Sequence, residues 1–293
     1  MFCQNNPGPN EALTMEQIAI VTGANTGIGK ATARGLSARD YHVVMACRSV
    51  QRGETARREI VEATGKENLT VLPLNLASFG SIRRFAAMFG ERWSRLDVLV
   101  NNAGLSVHER QVTEDGLELV TGVNHFGHFL LTNLLLAPLK FSAPARVVTV
   151  ASSRHKAGSL SMEDPQLEHG WDKSQAYANS KLMNVLFTYE LARRAEASGV
   201  TANCFNPGLV RSDFFRAYNR IPLALRFFLR VLGKEPATAA RTALHLACSP
   251  ELDGVTEKYY DGDKPADSSP DSYNKELARA LWEYSERVTG VLD

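Results

Sequence analysis

Residues 18–29 read IAIVTGANTGIG, a four-residue apolar run closed by glycines at 23, 27 and 29. The run from Ile18 to Val21 suits a strand buried on both faces, and helical spacing begins near Ile28 and continues to about Ala38. A strand, a glycine turn and a helix start in that order make an anion site. The glycines admit a pyrophosphate close to the backbone, and the helix N-terminus offers unpaired N–H groups. The spacing G-x-x-x-G-x-G departs from the common dinucleotide fingerprint, and by itself it also fits a tight strand-to-helix turn.

Outward from this stretch the same alternation continues. Val43 to Ala46, Leu69 to Leu74, Val98 to Val100, Val147 to Val150 and Val200 to Phe205 are apolar runs of strand length. Segments with helical periodicity separate them, among them a charged one from about Gln51 to Ala63. The expected fold is α/β: a single Rossmann-like, doubly wound parallel sheet flanked by helices. No repeat or linker divides the chain. Residues 1–16 form a lead and 17–293 a single domain, with a helical lid over about 213–235 and a helical C-terminal tail.

Composition narrows the function. The 293 residues are 44% hydrophobic and 22% charged, as in a globular protein. Thirty-three basic against thirty-two acidic side chains give a net charge of +1, which offers no case for nucleic acid. Cys3, Cys47, Cys204 and Cys248 lie far apart without a CxxC pair, so reduced, idle thiols are expected rather than zinc or a disulfide framework. The chain has no uncharged apolar run of about eighteen residues, and its first seventeen residues lack the basic start and apolar middle of a signal peptide. A cytoplasmic protein is the expectation.

The second strand selects the cofactor. Its end would meet the adenosine ribose, where NAD-binding chains place an acid. Here the sequence runs HVVMACRS, with Arg48 at that point. A planar guanidinium matches a 2′-phosphate, which points to NADP(H).

Two further stretches, NNAG (101–104) after a strand and YANSK (177–181) opening a helix, complete the set. Tyr177 and Lys181, four apart, share a helical face. A tyrosine with pKa near 10 is a poor base at neutral pH, and a neighbouring ammonium lowers that pKa toward the working range. With TGANTGIG these motifs resemble the classical short-chain dehydrogenase/reductase family over about Gln17 to Leu246. The resemblance implies Tyr177 as proton donor or acceptor and Lys181 as holder of the nicotinamide ribose. It implies Ser153, with Ser152 a close competitor, as the hydrogen-bond donor to the reacting carbonyl, and Asn124 in GVNHFGH as anchor of a water relay behind the lysine.

The resemblance also supplies a cofactor-binding set: Gly23, Asn25, Thr26, Gly27, Ile28 and Gly29 in the first turn, and Arg48 after the second strand. Asn75 and Leu76 would lie beside the adenine, where relatives carry Asp-Leu, and Asn102, Ala103 and Gly104 would follow. Pro207, Gly208, Val210 and Ser212 would close on the nicotinamide, together with Tyr177 and Lys181. No metal is implied: His125 and His128 lack a carboxylate or Cys partner at ligand spacing and are expected in the core. His155 is open between the substrate border and the surface.

MACRS, NHFGHFLL and LWEYSERVTG resemble the retinol dehydrogenase-like branch, which implies a lipophilic alcohol, aldehyde or ketone as substrate. Protochlorophyllide reductase, a double-bond reductase, shares the look of HVVMACR and ENLTVLPLNLAS, but its usual PGC is PGL here, with Leu209. A non-catalytic NADP(H)-binding sensor on the same fold is the alternative of a different class. Family members commonly pair through the helices carrying Asn124 and Tyr177, so a homodimer is an expected partnership. The stretch 214–234, FFRAYNRIPLALRFFLRVLGK, has no acid and is read first as a greasy wall over substrate. Its second reading is a surface helix touching anionic membrane, through Arg226, Arg230 and Lys234, and its third is core packing with solvated cations.

Overall fold

The computed structural model describes residues 16–210 and 235–291. The lead before residue 16, Ser212 and the stretch 214–234 lie outside the described residues.

The apolar runs form the expected strands: β1 (Ile18–Thr22), β2 (His42–Cys47), β3 (Leu69–Pro73), β4 (Val98–Asn101), β5 (Ala145–Val150) and β6 (Val200–Asn206). Two more follow, β7 (Lys258–Asp261) and the short β8 (Lys264–Pro265). All eight make one sheet in the order β3-β2-β1-β4-β5-β6-β7-β8. The pairings from β3 through β7 are parallel, and only β8 runs antiparallel. The chain winds outward from β1 to β3, then returns to place β4 against β1. The crevice at that reversal, at the C-terminal strand ends, is where such sheets bind ligands.

Alternate strand residues serve opposite faces, because successive side chains on a strand point to opposite sides. Ile18, Ile20, Val44, Leu99 and Val147 pack under α3 (Phe79–Gly90), α5 (Gly127–Leu134) and α7 (Lys173–Arg194). Ala19, Val21, Val43, Met45, Val98 and Val148 pack under α1 (Gly27–Ser37), α2 (Val50–Thr64) and a helix near the C-terminus, α8 (Pro236–Cys248). Neither face is left to water, which is why the strands read as continuous apolar runs rather than alternating ones.

The helix that carries Asn124 is irregular. A single turn, α4 (Leu119–Thr121), leads into a π-turn (Gly122–Phe126) and then α5; a short α6 (Leu136–Phe141) precedes β5. Buried Glu118 starts it by accepting hydrogen bonds from the backbone N–H groups of Val120 and Thr121.

The C-terminal helix α9 (Lys275–Thr289) buries Ala278, Leu281, Trp282, Ser285 and Thr289, a stripe at helical spacing. Trp282 stacks on Phe187 of α7 at 5.8 Å between ring centres and meets Phe129 of α5 edge-on at 4.8 Å. His125 shares a 2.9 Å hydrogen bond with Ser285, and burial pushes its pKa down to about 3, so the ring is neutral. The α5 and α7 surface through which the resemblance implies pairing is thus partly occupied by this chain's own tail.

Cys47 and Cys204 are buried, and burial pushes both thiols up to about 12. Among the described residues, no helix is long and apolar enough to cross a membrane.

Candidate active site

The turn after β1 is shaped by its glycines. Gly23 has φ +66° and Gly27 φ +55°, the left-handed region that glycine enters without a Cβ penalty. Gly29 answers a different demand: a Cβ there would stand 2.5 Å from Asn102 Nδ2 and 2.5 Å from the Gly23 carbonyl. The backbone of β1 and the end of β4 close on α1 through that missing side chain. Helix α1 opens with no side-chain cap at Thr26 and no acid in its first turn. By contrast α2, α3, α7 and α9 are capped by Ser49, Ser78, Asp172 and Asn274. An uncapped N-terminus presents donors and partial positive charge to an anion.

This turn forms one end of a cleft of about 860 Å³. Gly23, Asn25, Thr26, Gly27, Ile28 and Arg48 line it, as do Asn102, Ala103 and Gly104. Ser152, Ser153, Tyr177, Lys181, Pro207, Gly208 and Val210 line it as well. The structure therefore brings most of the sequence-derived set to one cavity. The cradle that a Cβ would fill, the uncapped helix and the cation after β2 fit a dinucleotide.

Tyr177 sits in the first turns of α7, whose start is fixed by Asp172 accepting from the N–H groups of Ser174 and Gln175. One turn on, Lys181 is only 3% exposed and donates to the Val150 carbonyl at 2.9 Å. Its Nζ lies 5.7 Å from the centre of the Tyr177 ring. Burial pulls its pKa down to about 8, because the uncharged amine needs no solvation shell. It remains predominantly an ammonium at neutral pH, one helical turn from Tyr177.

Asn124 does not line the cleft; it lies behind the lining, at the centre of the π-turn, and is fully buried. Its carboxamide oxygen accepts from Leu105 N–H at 2.8 Å, and its amide donates to the Leu105 carbonyl and to Ser180 Oγ, each at 3.0 Å. Ser180 Oγ in turn donates to the Tyr177 carbonyl at 2.8 Å. Asn124 thus ties the exit of β4 to the helix that carries Tyr177 and Lys181.

The two serines differ. Ser152 is half-buried, and its hydroxyl oxygen accepts from the Arg154 N–H at 3.2 Å. Ser153 is exposed, and its backbone N–H donates to Asn206 Oδ1 at 3.1 Å.

Asn75 and Leu76 are not brought to the cleft lining. Asn75 Oδ1 accepts from Ala77 N–H in its own loop, and Leu76 is buried with its carbonyl against Gly127. His155, open at the sequence level between border and surface, is neither. It is fully buried, donating through Nδ1 to the Ser152 carbonyl at 2.6 Å and accepting at Nε2 from Ser269 N–H at 2.9 Å.

Sequence reasoning missed Arg52, Ser49 and Asn206 in the lining. Arg52 follows Arg48 by four residues, so the spacing carried a signal. Asn206 bonds the Ser153 and Gly208 N–H groups through Oδ1 and Asp261 through Nδ2, a role set by partners far along the chain. Among the described residues, no group of three or more His, Cys, Asp or Glu is placed to hold a metal.

Known proteins share this fold. The family model for short chain dehydrogenases matches residues 17–221. An uncharacterized protein from Mycobacterium paratuberculosis superposes with a TM-score of 0.74 at 33% identity, covering 94% of each chain. The Pseudomonas aeruginosa RhlG/NADP active-site complex gives 0.68 at 26% identity, over 84% of this chain and 94% of that one. The chain belongs to the short-chain dehydrogenase family and is an oxidoreductase of that family. Within it the chain is retinol dehydrogenase-like: retinol dehydrogenase 14 of Mus musculus is 42% identical over 97% of this chain and 89% of its own length. The family, together with the 26% identical RhlG solved with NADP, supports a nicotinamide cofactor.

Proposed function

We propose that this protein uses NADP(H) to interconvert a carbonyl and an alcohol on a lipophilic small molecule. The observation that carries the reading is the convergence of Tyr177, buried Lys181, the glycine turn and Arg48 on one cleft. When bound, the cofactor would supply or accept the hydride. Tyr177 holds the proton that the substrate oxygen gains or loses, and the Lys181 ammonium stabilises its phenolate. Arg48, with Arg52 one turn later, suits a 2′-phosphate, and the α1 N-terminus suits the pyrophosphate.

Of the two serines, Ser153 keeps the role the resemblance gives it, since it is exposed at the cleft while the Ser152 oxygen caps the short turn after β5 by accepting from the Arg154 N–H. The lipophilic substrate rests on the 42% identical retinol dehydrogenase and on the greasy sequence of 214–234. The presence of all four residues, Asn124, a serine, Tyr177 and Lys181, favours catalysis over a dinucleotide-binding scaffold.

The test is NADPH oxidation over aliphatic, aromatic and isoprenoid aldehydes, with NADH compared to read the Arg48 assignment. Tyr177→Phe should lower turnover by about 10²–10⁴-fold with NADPH affinity within about twofold. Retained turnover in that variant would sink the proposal. In the same assay Ser153→Ala should cost more than Ser152→Ala, and the reverse order gives the role to Ser152.

A further inference from the structure

His128 is used by no step described so far, yet it stands at the junction of the two halves of the site. The ring is buried, 2% exposed, and burial pushes its pKa down to about 4, so it is neutral at working pH. Its tautomer follows from its partners. Nδ1 lies 3.0 Å from the Asn124 carbonyl, which can only accept, so Nδ1 carries the proton. Nε2 is then an acceptor, and Thr22 Oγ1 lies 3.0 Å from it. The Thr22 hydroxyl has one proton; Nε2 is a nearer target than the Val100 carbonyl at 3.3 Å.

The lone pairs of that hydroxyl are also occupied. Thr22 Oγ1 accepts from the N–H groups of Asn102 and Ala103, both at 2.9 Å, and the Thr22 carbonyl accepts from Asn102 Nδ2 at 2.7 Å. Asn102 and Ala103 line the cofactor end of the cleft, and Thr22 immediately precedes Gly23. At the other end of the ring the fixed carbonyl belongs to Asn124, whose side chain ties Leu105 to Ser180. Thr22, His128, Asn124 and Ser180 are all buried, where an unpaired polar group is costly and a fully paired one rigid.

We infer that His128 is a positioning residue that couples two settings. Through Nε2 it holds Thr22 and so the Asn102–Ala103 floor of the cofactor site; through Nδ1 it holds Asn124 behind Tyr177 and Lys181. The inference rests on the proposed NADP(H) reading.

The two ring nitrogens can be replaced one at a time. An asparagine in the same helix, Asn133, already donates its amide to the carbonyl four residues back, Phe129, at 2.8 Å. His128→Asn can therefore keep the bond to Asn124 while losing reach to Thr22. His128→Gln places an amide near the Nε2 position, keeping an acceptor for Thr22 while losing the Nδ1 donor. His128→Asn should weaken NADPH binding by about tenfold with kcat within about threefold, each lost buried hydrogen bond being worth roughly that factor. His128→Gln should show the opposite split, kcat down by about tenfold and NADPH affinity within about threefold. Thr22→Val, which removes the hydroxyl and with it the acceptor for the Asn102 and Ala103 N–H groups, should weaken NADPH binding at least as much as His128→Asn and guards against a ring variant that fails to fold.

Equal losses of affinity and kcat in both ring variants would make His128 a packing residue and overturn the inference, as would no change in either. NADPH affinity is read by fluorescence titration without substrate. If the wild type reduces no carbonyl, the proposed function fails, while His128→Asn and Thr22→Val still decide whether His128 holds the cofactor floor.

Discussion

The cofactor end and the catalytic end of this cleft are built in different ways. The cofactor end is made chiefly of backbone: Gly23 and Gly27 at positive φ, a Gly29 with no room for a Cβ, and a helix that starts without a side-chain cap. Those features lie within eight residues of one another. The catalytic end is made of side chains held by distant partners. Asn124 binds Leu105 and Ser180, the segment after Ser152 is tied to Ser269 through His155, and α5 and α7 are packed by the C-terminal helix. Recognition of a phosphate needs donors on a tight turn, which a local motif supplies. Acid–base chemistry needs side chains fixed to fractions of an ångström, which only tertiary packing supplies.

The largest expected effect separates the two ends. Trp282 fills the joint between Phe187 and Phe129, is 4% exposed, and carries Arg194 over its face at 4.5 Å. Trp282→Ala should cost about 3–5 kcal/mol of stability by denaturant unfolding, as large aromatic truncations do. In the folded fraction kcat should fall while NADPH affinity stays within about twofold, since α9 packs on the catalytic side only. An affinity that falls in step with kcat would show that the ends are not separable.

The converse perturbation is smaller and local. Gly29→Ala forces a methyl against Asn102 Nδ2 and the Gly23 carbonyl, and neither can move without opening the turn. Overpacking of this kind costs about 1–3 kcal/mol, and here most of it should appear as NADPH affinity weakened by about 10–100-fold. Unchanged affinity in titration would mean that the close approach of the backbones does not serve the cofactor.

This division explains what the sequence alone made legible. IAIVTGANTGIG, NNAG and YANSK are local, so the first strand, the anion turn and the Tyr177–Lys181 pair followed from a few residues each. Arg48 was legible, while Arg52 was overlooked although it sits one helical turn on. The role given to Asn75 and Leu76 was carried over by resemblance, but here Asn75 closes its own loop and Leu76 packs against Gly127. Spacing could not order Ser152 and Ser153, because the difference lies in which hydroxyl a short turn engages. His155 was the least readable: its second partner, Ser269, is 114 residues away, and nothing near His155 announces it.

That histidine provides the smallest effect, and one with a definite sign. His155 is fully buried, and its pKa is lowered first by burial, partly opposed by the bond to the Ser152 carbonyl, with nearby Lys156 lowering it further. The ring also lies against Tyr259 at 4.8 Å between centres. In the unfolded chain it would titrate near 6.5, so there it binds more protons than in the fold. Its contribution is therefore fully present above about pH 6.5 and is lost as pH falls through and below that value. Protonation would give Nε2 a hydrogen facing the Ser269 N–H, breaking the tie between the serine turn and the tail. His155→Gln can keep an acceptor for Ser269 and does not titrate. Its melting temperature at pH 7.5 should sit below that of the wild type, for want of the bond to Ser152. Its further drop on going to pH 5.5 should be smaller than the wild type's, even though His125 and His128 still titrate in both proteins. Equal drops in the two proteins would mean that His155 does not gain its charge in this range, and that the tail holds the serine turn regardless of pH.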